Sequence, residues 1–321
     1  MQFTSWLHRT LALATLTLPL VSAAFPDKPI EWVVPYPAGG GSDVVARVLA
    51  EPMGRLLGQA ILINNKPGAA TNIGAEYVAR AKADGHVVLT ADTATLAANP
   101  SLYAKLAYNA EKDLAPVGLI ARFPMILVVN ASVPVKNLAE FTAWAKKQGN
   151  GLNYATPGAG SPHHLATELF RERSGLTLAQ VPYRGAAPAI QDVIGGQLPM
   201  MFVDTASGYP HILSGKLRAI AIASAKRVPG FDVPTFAEQG MKDFEAYAWQ
   251  GMVVPANTPP ETIAALNKAL QTALDSTAVK ARFQTLGLEA LPGTPEKMAA
   301  YTKSERSKWG ALIRSNNIRL D

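Results

Sequence analysis

The chain predicts an α/β fold of two lobes about a hinged ligand cleft, and three observations carry that expectation. Short apolar runs alternate with segments of helical period, the grammar of layered α/β folds. A strand, a glycine-rich loop and a helix start follow one another twice, at residues 31–57 and again at residues 152–174. At 321 residues the chain exceeds the usual single core of about 100–200 residues, so two lobes are the default.

Before Phe25 the chain reads as an address. One basic residue, Arg9, precedes an apolar run over residues 11–21, and small residues offer cleavage near Ala23 or Ala24. The run is shorter than the roughly 20 residues of a membrane span, so residues 1–24 are expected to be a signal peptide and the mature protein to be exported.

The first lobe is expected over residues 25–124 plus 247–321. Its strands fall at residues 30–35, 60–63, 87–89 and 117–120. Between the first two, Val44, Val45, Val48, Leu49, Met53, Leu56 and Leu57 recur at three-to-four spacing, with Gly58 placed as a left-handed C-cap. Pro52 inside that helix is expected to kink or loosen it. A turn-rich stretch at residues 64–70, a helix over 72–81 and the Asp84-Gly85 turn lead to a strand ending in small polar residues, Thr93 among them.

The second lobe is expected over residues 125–246, opening with an apolar strand at residues 125–130. A helix over 137–148 and a strand at 152–155 then lead into a second glycine loop from Thr156 to Pro162 and a helix over 163–174. Strands at 181–183, 200–203 (ending at Asp204) and 217–223 follow, with a helix reaching residue 194 between the first two. Residues 249–254 return to the first lobe, and helices over 261–274, 280–286 and from Thr294-Pro295-Glu296 onward complete it.

Composition narrows the function. Cysteine is absent, so an exported fold must be held by its core rather than by disulfides. The formal charge is +6, which mildly steers anionic small molecules. Lys and Arg are scattered and not interleaved with aromatics, against a nucleic-acid partner. Neither glycine loop completes a dinucleotide fingerprint, since Val44 stands where the last glycine belongs, and no Gly-Lys-Ser/Thr marks a P-loop. Adjacent His163 and His164 point about 100° apart on a helix, unlike an i, i+4 metal pair. No cofactor or metal is therefore expected.

The candidate site begins at Tyr36, where the first apolar run enters Pro37-Ala38-Gly39-Gly40-Gly41 before the N-cap-type residues Ser42 and Asp43. Glycines let a ligand approach the backbone, and the unpaired amides of a helix start favour an anion. Thr93 lies at the carboxyl end of a strand, where open α/β sheets place ligands. Thr156, Gly158 and Ser161 repeat the device in the second lobe. Three readings stay open: His163 or His164 as a helix-start hydrogen bonder or a ligand contact, Asp204 as a turn cap or a ligand acceptor, and Arg184 as a bidentate carboxylate clamp or a surface ion pair. A serine hydrolase built from Ser161, His164 and Asp204 is the rival chemistry, although neither loop serine lies in a G-x-S-x-G elbow.

The motifs Val33-Val34-Pro35-Tyr36-Pro37-Ala38-Gly39-Gly40-Gly41-Ser42-Asp43, Asn65-Lys66-Pro67-Gly68-Ala69, Ala83-Asp84-Gly85-His86, Gly158-Ala159-Gly160-Ser161-Pro162-His163-His164, Pro182-Tyr183-Arg184-Gly185 and Trp249-Gln250-Gly251 occur in this order. In them the mature chain resembles the extracytoplasmic receptors of tripartite tricarboxylate transporters, the Bug family. That resemblance implies a two-lobe type II periplasmic-binding fold, a periplasmic location, a small organic mono- or dicarboxylate as ligand and membrane permease subunits as partners. A monomer and no catalysis are expected, with presentation of the liganded state to a signalling system as an alternative to transport. The resemblance implies that Pro37 to Gly40 and Gly158 to Ser161 hold one ligand carboxylate through backbone groups and water. It places His164, Tyr183 and Asp204 on cleft-facing stretches.

Overall fold

The computed structural model describes residues 25–149 and 151–320; the expected signal peptide at residues 1–24 lies outside the described residues. In chain order, β1 (Ile30–Val34), α1 (Gly41–Leu57), β2 (Ile61–Asn65), α2 (Asn72–Ala79), β3 (Val87–Asp92) and α3 (Asn99–Leu102) lead to the long β4 (Leu114–Asn130). The middle of the chain holds α4 (Leu138–Lys146), β5 (Leu152–Thr156), α5 (Pro162–Ser174), β6 (Leu178–Pro182), α6 (Ala186–Ile194), β7 (Met200–Asp204), α7 (Thr205–Leu213) and β8 (Leu217–Ile222). Then β9 (Tyr247–Pro255), α8 (Pro260–Asp275), α9 (Thr277–Thr285), β10 (Glu289–Ala290) and α10 (Pro295–Ser315) follow.

The strands form two half-sheets that share β4. On one side the order is β2-β1-β3-β9-β4, with the first three parallel and β9 antiparallel to both neighbours. On the other, β7 and β8 pair antiparallel with β4, and β5 lies parallel between β7 and β6. The changeover falls inside β4: Pro124 still faces Tyr247 of β9, whereas Met125 faces Asp204 of β7. A ring of backbone bonds ties this point together, Met125 N to Ala246 O, Ala246 N to Ala223 O and Ala223 N to Met125 O. Two separate strands expected on either side of Pro124 are thus one. Proline is tolerated there because the ladder changes partners at that residue.

Helix α1 buries Val45, Ala46, Leu49, Ala50 and Met53 against β1 and α8, and stops at Gly58, whose φ of 73° suits the left-handed C-cap. The helix continues through Pro52, which cannot donate a backbone hydrogen bond to the preceding turn. The stretch after β2 is turn-rich, as expected. Ala69, Ala70 and Thr71 all take positive φ without being glycine, a conformation held by Asn99 Nδ2 donating to Ala70 O and by a hydrogen bond between the hydroxyls of Thr71 and Thr95.

A core of Phe141, Phe170, Phe202, Phe236 and Phe244 fills the second half, and its apolar contacts continue into the first through Trp249 and Trp309. The C-terminal α10 lies across the two halves: Arg306 donates to Leu96 O on one side, and Asn316 meets Arg171 and Glu172 on the other. Strands β1, β3, β5, β6 and β7 all point their carboxyl ends toward the space between the halves, where open α/β sheets bind ligands.

Candidate functional site

Four of those carboxyl ends run directly into helices, and the N-termini of α1, α5, α6 and α7 line one cavity of about 380 Å³. Two of these helices differ from the other two. Ser161 Oγ caps α5 by accepting from His164 N, and the Asp204 carboxylate caps α7 by accepting from Ser207 N and Oγ. No side chain caps α1, which starts after Gly40, or α6, which starts after Gly185. First-turn N–H groups have no intrahelical acceptor, so these two ends, one from each half, present bare amides and a positive dipole end to the cavity.

The loop before α1 is held open by its own side chains. Asp43 accepts from Gly39 N, Arg47 Nε and Asn65 Nδ2, and Asn65 also donates to Tyr36 O. Burial opposes ionisation of Asp43, but these donors hold its carboxyl below the usual carboxylate value. The carboxylate is therefore occupied in shaping the loop, which leaves residues 40–42 facing the cavity. Across it, a Cβ on Gly41 would lie 3.3 Å from Asp204 Oδ1 and one on Gly185 would lie 3.7 Å from Pro37 Cγ, so the two halves approach closely at both places.

The expected site residues divide accordingly. Tyr36, Pro37, Ala38, Gly39, Gly40, Ser42, Ser161, Arg184 and Asp204 line the cavity. Asp43, Thr93, Thr156, Gly158, His164 and Tyr183 stand behind its wall. Thr93 Oγ1 accepts from Trp249 N, Thr156 Oγ1 from Gln180, and Tyr183 donates to Asp192, a bond that with burial pushes the phenol up to about 12. His164 accepts from Gly160 N through Nδ1, and burial pushes its imidazole below the ordinary value, toward the neutral form. Asp204 caps α7 and also lines the cavity, and Arg184 is an exposed rim residue with no ion-pair partner among the described residues.

Three buried polar residues join the cavity: His163, one of the two histidines the sequence offered, and Asp92 and Gln250, which it did not single out. His163, not His164, faces it and places Nε2 3.2 Å from Asp204 Oδ2. Burial raises the Asp204 carboxyl, but His163 and Ser207 outweigh that and hold it below its usual value. Asp92 caps the turn after β3, accepts from Thr95 and from the Tyr36 hydroxyl, and is raised above its usual value by burial. Gln250, 1% exposed, has no hydrogen-bond partner for either side-chain atom among the described residues. A signal for the histidine pair was present: the third helical position characteristically turns its side chain back toward the N-cap, which is where His164 goes. Gln250 and Asp92 are brought opposite each other only by strand register, which no local pattern states.

The hydrolase geometry does not assemble. The Asp204 partner is His163, while His164 is turned to Gly160 and lies 3.8 Å from Glu168. Among the described residues there is no cluster of three or more potential metal ligands and no helix long and apolar enough to cross a membrane.

A two-lobe α/β architecture with bare helix ends meeting over a cleft defines a solute-binding protein of the periplasmic type. Residues 45–318 match the model of the tripartite tricarboxylate transporter family receptor, and the chain belongs to that family. It is 34% identical to Protein BugT of Bordetella pertussis over 97% of this chain and 96% of that protein. Among solved structures, Rpa4515 of Rhodopseudomonas palustris with adipate superposes with a TM-score of 0.88 at 31% identity, covering 92% of this chain and 99% of that one. MatC from the same organism, with bound malate, gives 0.84 at 34% identity over 90% and 100%. The family is one of extracytoplasmic solute receptors that work with membrane transporters.

Proposed function

We propose that this protein is a periplasmic receptor that captures a small organic dicarboxylate between its lobes and delivers it to the permease subunits of a tripartite tricarboxylate transporter. The observation that carries this reading is the pair of uncapped helix N-termini, α1 and α6, facing one cavity from opposite halves. A bare helix start stabilises a carboxylate through main-chain donors without burying a fixed countercharge. Two of them on opposing walls suit an anion with a charge at each end, as adipate and malate are in the relatives.

The lobes are residues 25–124 plus 247–321 and residues 125–246, with hinges where β4 changes partners and where residues 246–247 cross back. The first lobe offers the amides of Gly41 and Ser42 and the second those of Ala186 and Ala187, with Arg184 on the rim. Closure removes water from the charges and strengthens each hydrogen bond. No bond in the ligand changes, and a monomer suffices. Mass action then requires a bound dicarboxylate to raise the melting temperature. A panel of C4 to C8 dicarboxylates, aromatic acids and amino acids tests this: a concentration-dependent rise with at least one dicarboxylate supports the reading, and a flat response to all of them rejects it.

A further inference from the structure

Among the described residues that line the cavity, three buried side chains carry polar atoms without a partner: His163 at Nδ1, Trp249 at Nε1 and Gln250 at both ends of its carboxamide, so that Gln250 lacks both a donor and an acceptor partner. Gln250 is 1% exposed, lines the cavity, and leaves both Oε1 and Nε2 without a partner among the described residues. A buried carboxamide with neither end paired is costly, because its desolvation is not repaid, so its site is built for a group supplied from outside. In strand register Gln250 stands opposite Asp92, so the two side chains share one face of the sheet, and both line the same cavity.

The chemistry of that face discriminates among ligand groups. Asp92 Oδ1 accepts from both the backbone N and the hydroxyl of Thr95, which occupies its lone pairs, while Oδ2 accepts from the Tyr36 hydroxyl and keeps one lone pair free. With Oε1 of Gln250, this end of the cavity is rich in acceptors. A bare carboxylate brings only acceptors and would satisfy Nε2 while facing Oε1 and Asp92 unfavourably. An ammonium brings only donors and would leave Nε2 unpaired. A hydroxyl both donates and accepts, and so pairs both ends of the carboxamide.

We propose that Gln250 is a specificity-determining residue that reads a hydroxyl group on the ligand, so that the site selects hydroxylated dicarboxylates over their plain counterparts. This rests on the dicarboxylate reading above and adds to it a second contact, away from the helix ends that hold the charges. A site built to pair a ligand hydroxyl rejects the analogue that lacks it, because the buried partner is then left unpaired.

The test measures affinities by calorimetry for matched pairs differing by one hydroxyl (succinate and malate, glutarate and 2-hydroxyglutarate, adipate and 2-hydroxyadipate), with aspartate and glutamate as amino-substituted arms. For the pair of the preferred chain length, the wild-type protein is expected to favour the hydroxy acid by about tenfold or more. In Gln250→Met that ratio should fall to near one, whatever the absolute affinities. Equal affinity for hydroxy and plain acids in the wild type overturns the proposal while leaving carboxylate binding intact, and needs no variant. A preference for the amino acid, or a ratio unchanged in Gln250→Met, overturns it as well. If no dicarboxylate binds at all, the dicarboxylate reading fails and takes this one with it.

Discussion

The two glycine loops share a sequence grammar and use it in opposite ways. In the loop before α1, the one strong acceptor, Asp43, turns back to Gly39, Arg47 and Asn65 and leaves the helix end bare. In the loop before α5, Ser161 caps the helix and His164 accepts from Gly160, so the same kind of junction is closed by its own side chains. In being left uncapped, the first loop's second-lobe match is not its sequence twin but the Arg184–Gly185 turn ahead of α6. What decides whether a helix start is left bare is where the nearest side-chain acceptor is spent.

The sharpest way to break this contrast is Gly40→Val. Gly40 has ordinary extended backbone, φ −77° and ψ 167°, and a Cβ there meets nothing closer than 3.6 Å, so the variant is expected to fold with near wild-type stability. Its side chain would occupy the ligand's approach to the α1 amides. Dicarboxylate affinity by calorimetry should fall about a hundredfold or more, roughly 2.7 kcal/mol. Arg184→Ala should cost less, about tenfold, and the loss should shrink in high salt because an exposed guanidinium acts mainly through screened attraction.

Ser161→Ala probes the closed loop. Loss of the cap should lower stability in urea by about 1 kcal/mol, with a smaller effect on affinity than Gly40→Val. Should Ser161→Ala instead cost more affinity than Gly40→Val, the two loops have been assigned the wrong way round.

Acid should separate two further groups. The folded state holds His164 below its ordinary value, so the unfolded chain takes up that proton first. Stability should then begin to fall as pH drops below about 6.5, and the slope should ease in His164→Gln. Asp204 is held below its usual value, so its contribution is present above about pH 3.9 and disappears as pH falls through the lower folded value. Melting temperatures from pH 3 to 8 check both.

Much of this was legible in the chain. The strand-to-helix junctions, the C-cap at Gly58 and the first loop follow from local periodicity and turn chemistry, which nearby residues determine. What escaped depends on distant register or on competition between neighbours. Pro124 reads as a break but sits inside β4, because the strand changes partners there. Helix α7 was not anticipated, since Pro210 and Gly208 weaken its pattern and Asp204 starts it only once β7 is paired. Of the adjacent histidines, His163 faces the cavity because α5 begins at Pro162 and turns His164 back. Gln250 becomes notable only when β9 sets it beside Asp92.

The central claim, that ligand charge is held by the bare ends of α1 and α6, is tested most directly by following backbone amides in a 15N-labelled sample titrated with a dicarboxylate that raises the melting temperature. The account predicts that Gly41 and Ser42, together with Ala186 and Ala187, show the largest downfield amide-proton shifts, while Gly160 and His164 move little. Large shifts at Gly160 and His164, with those of Gly41, Ser42, Ala186 and Ala187 unchanged, would contradict it.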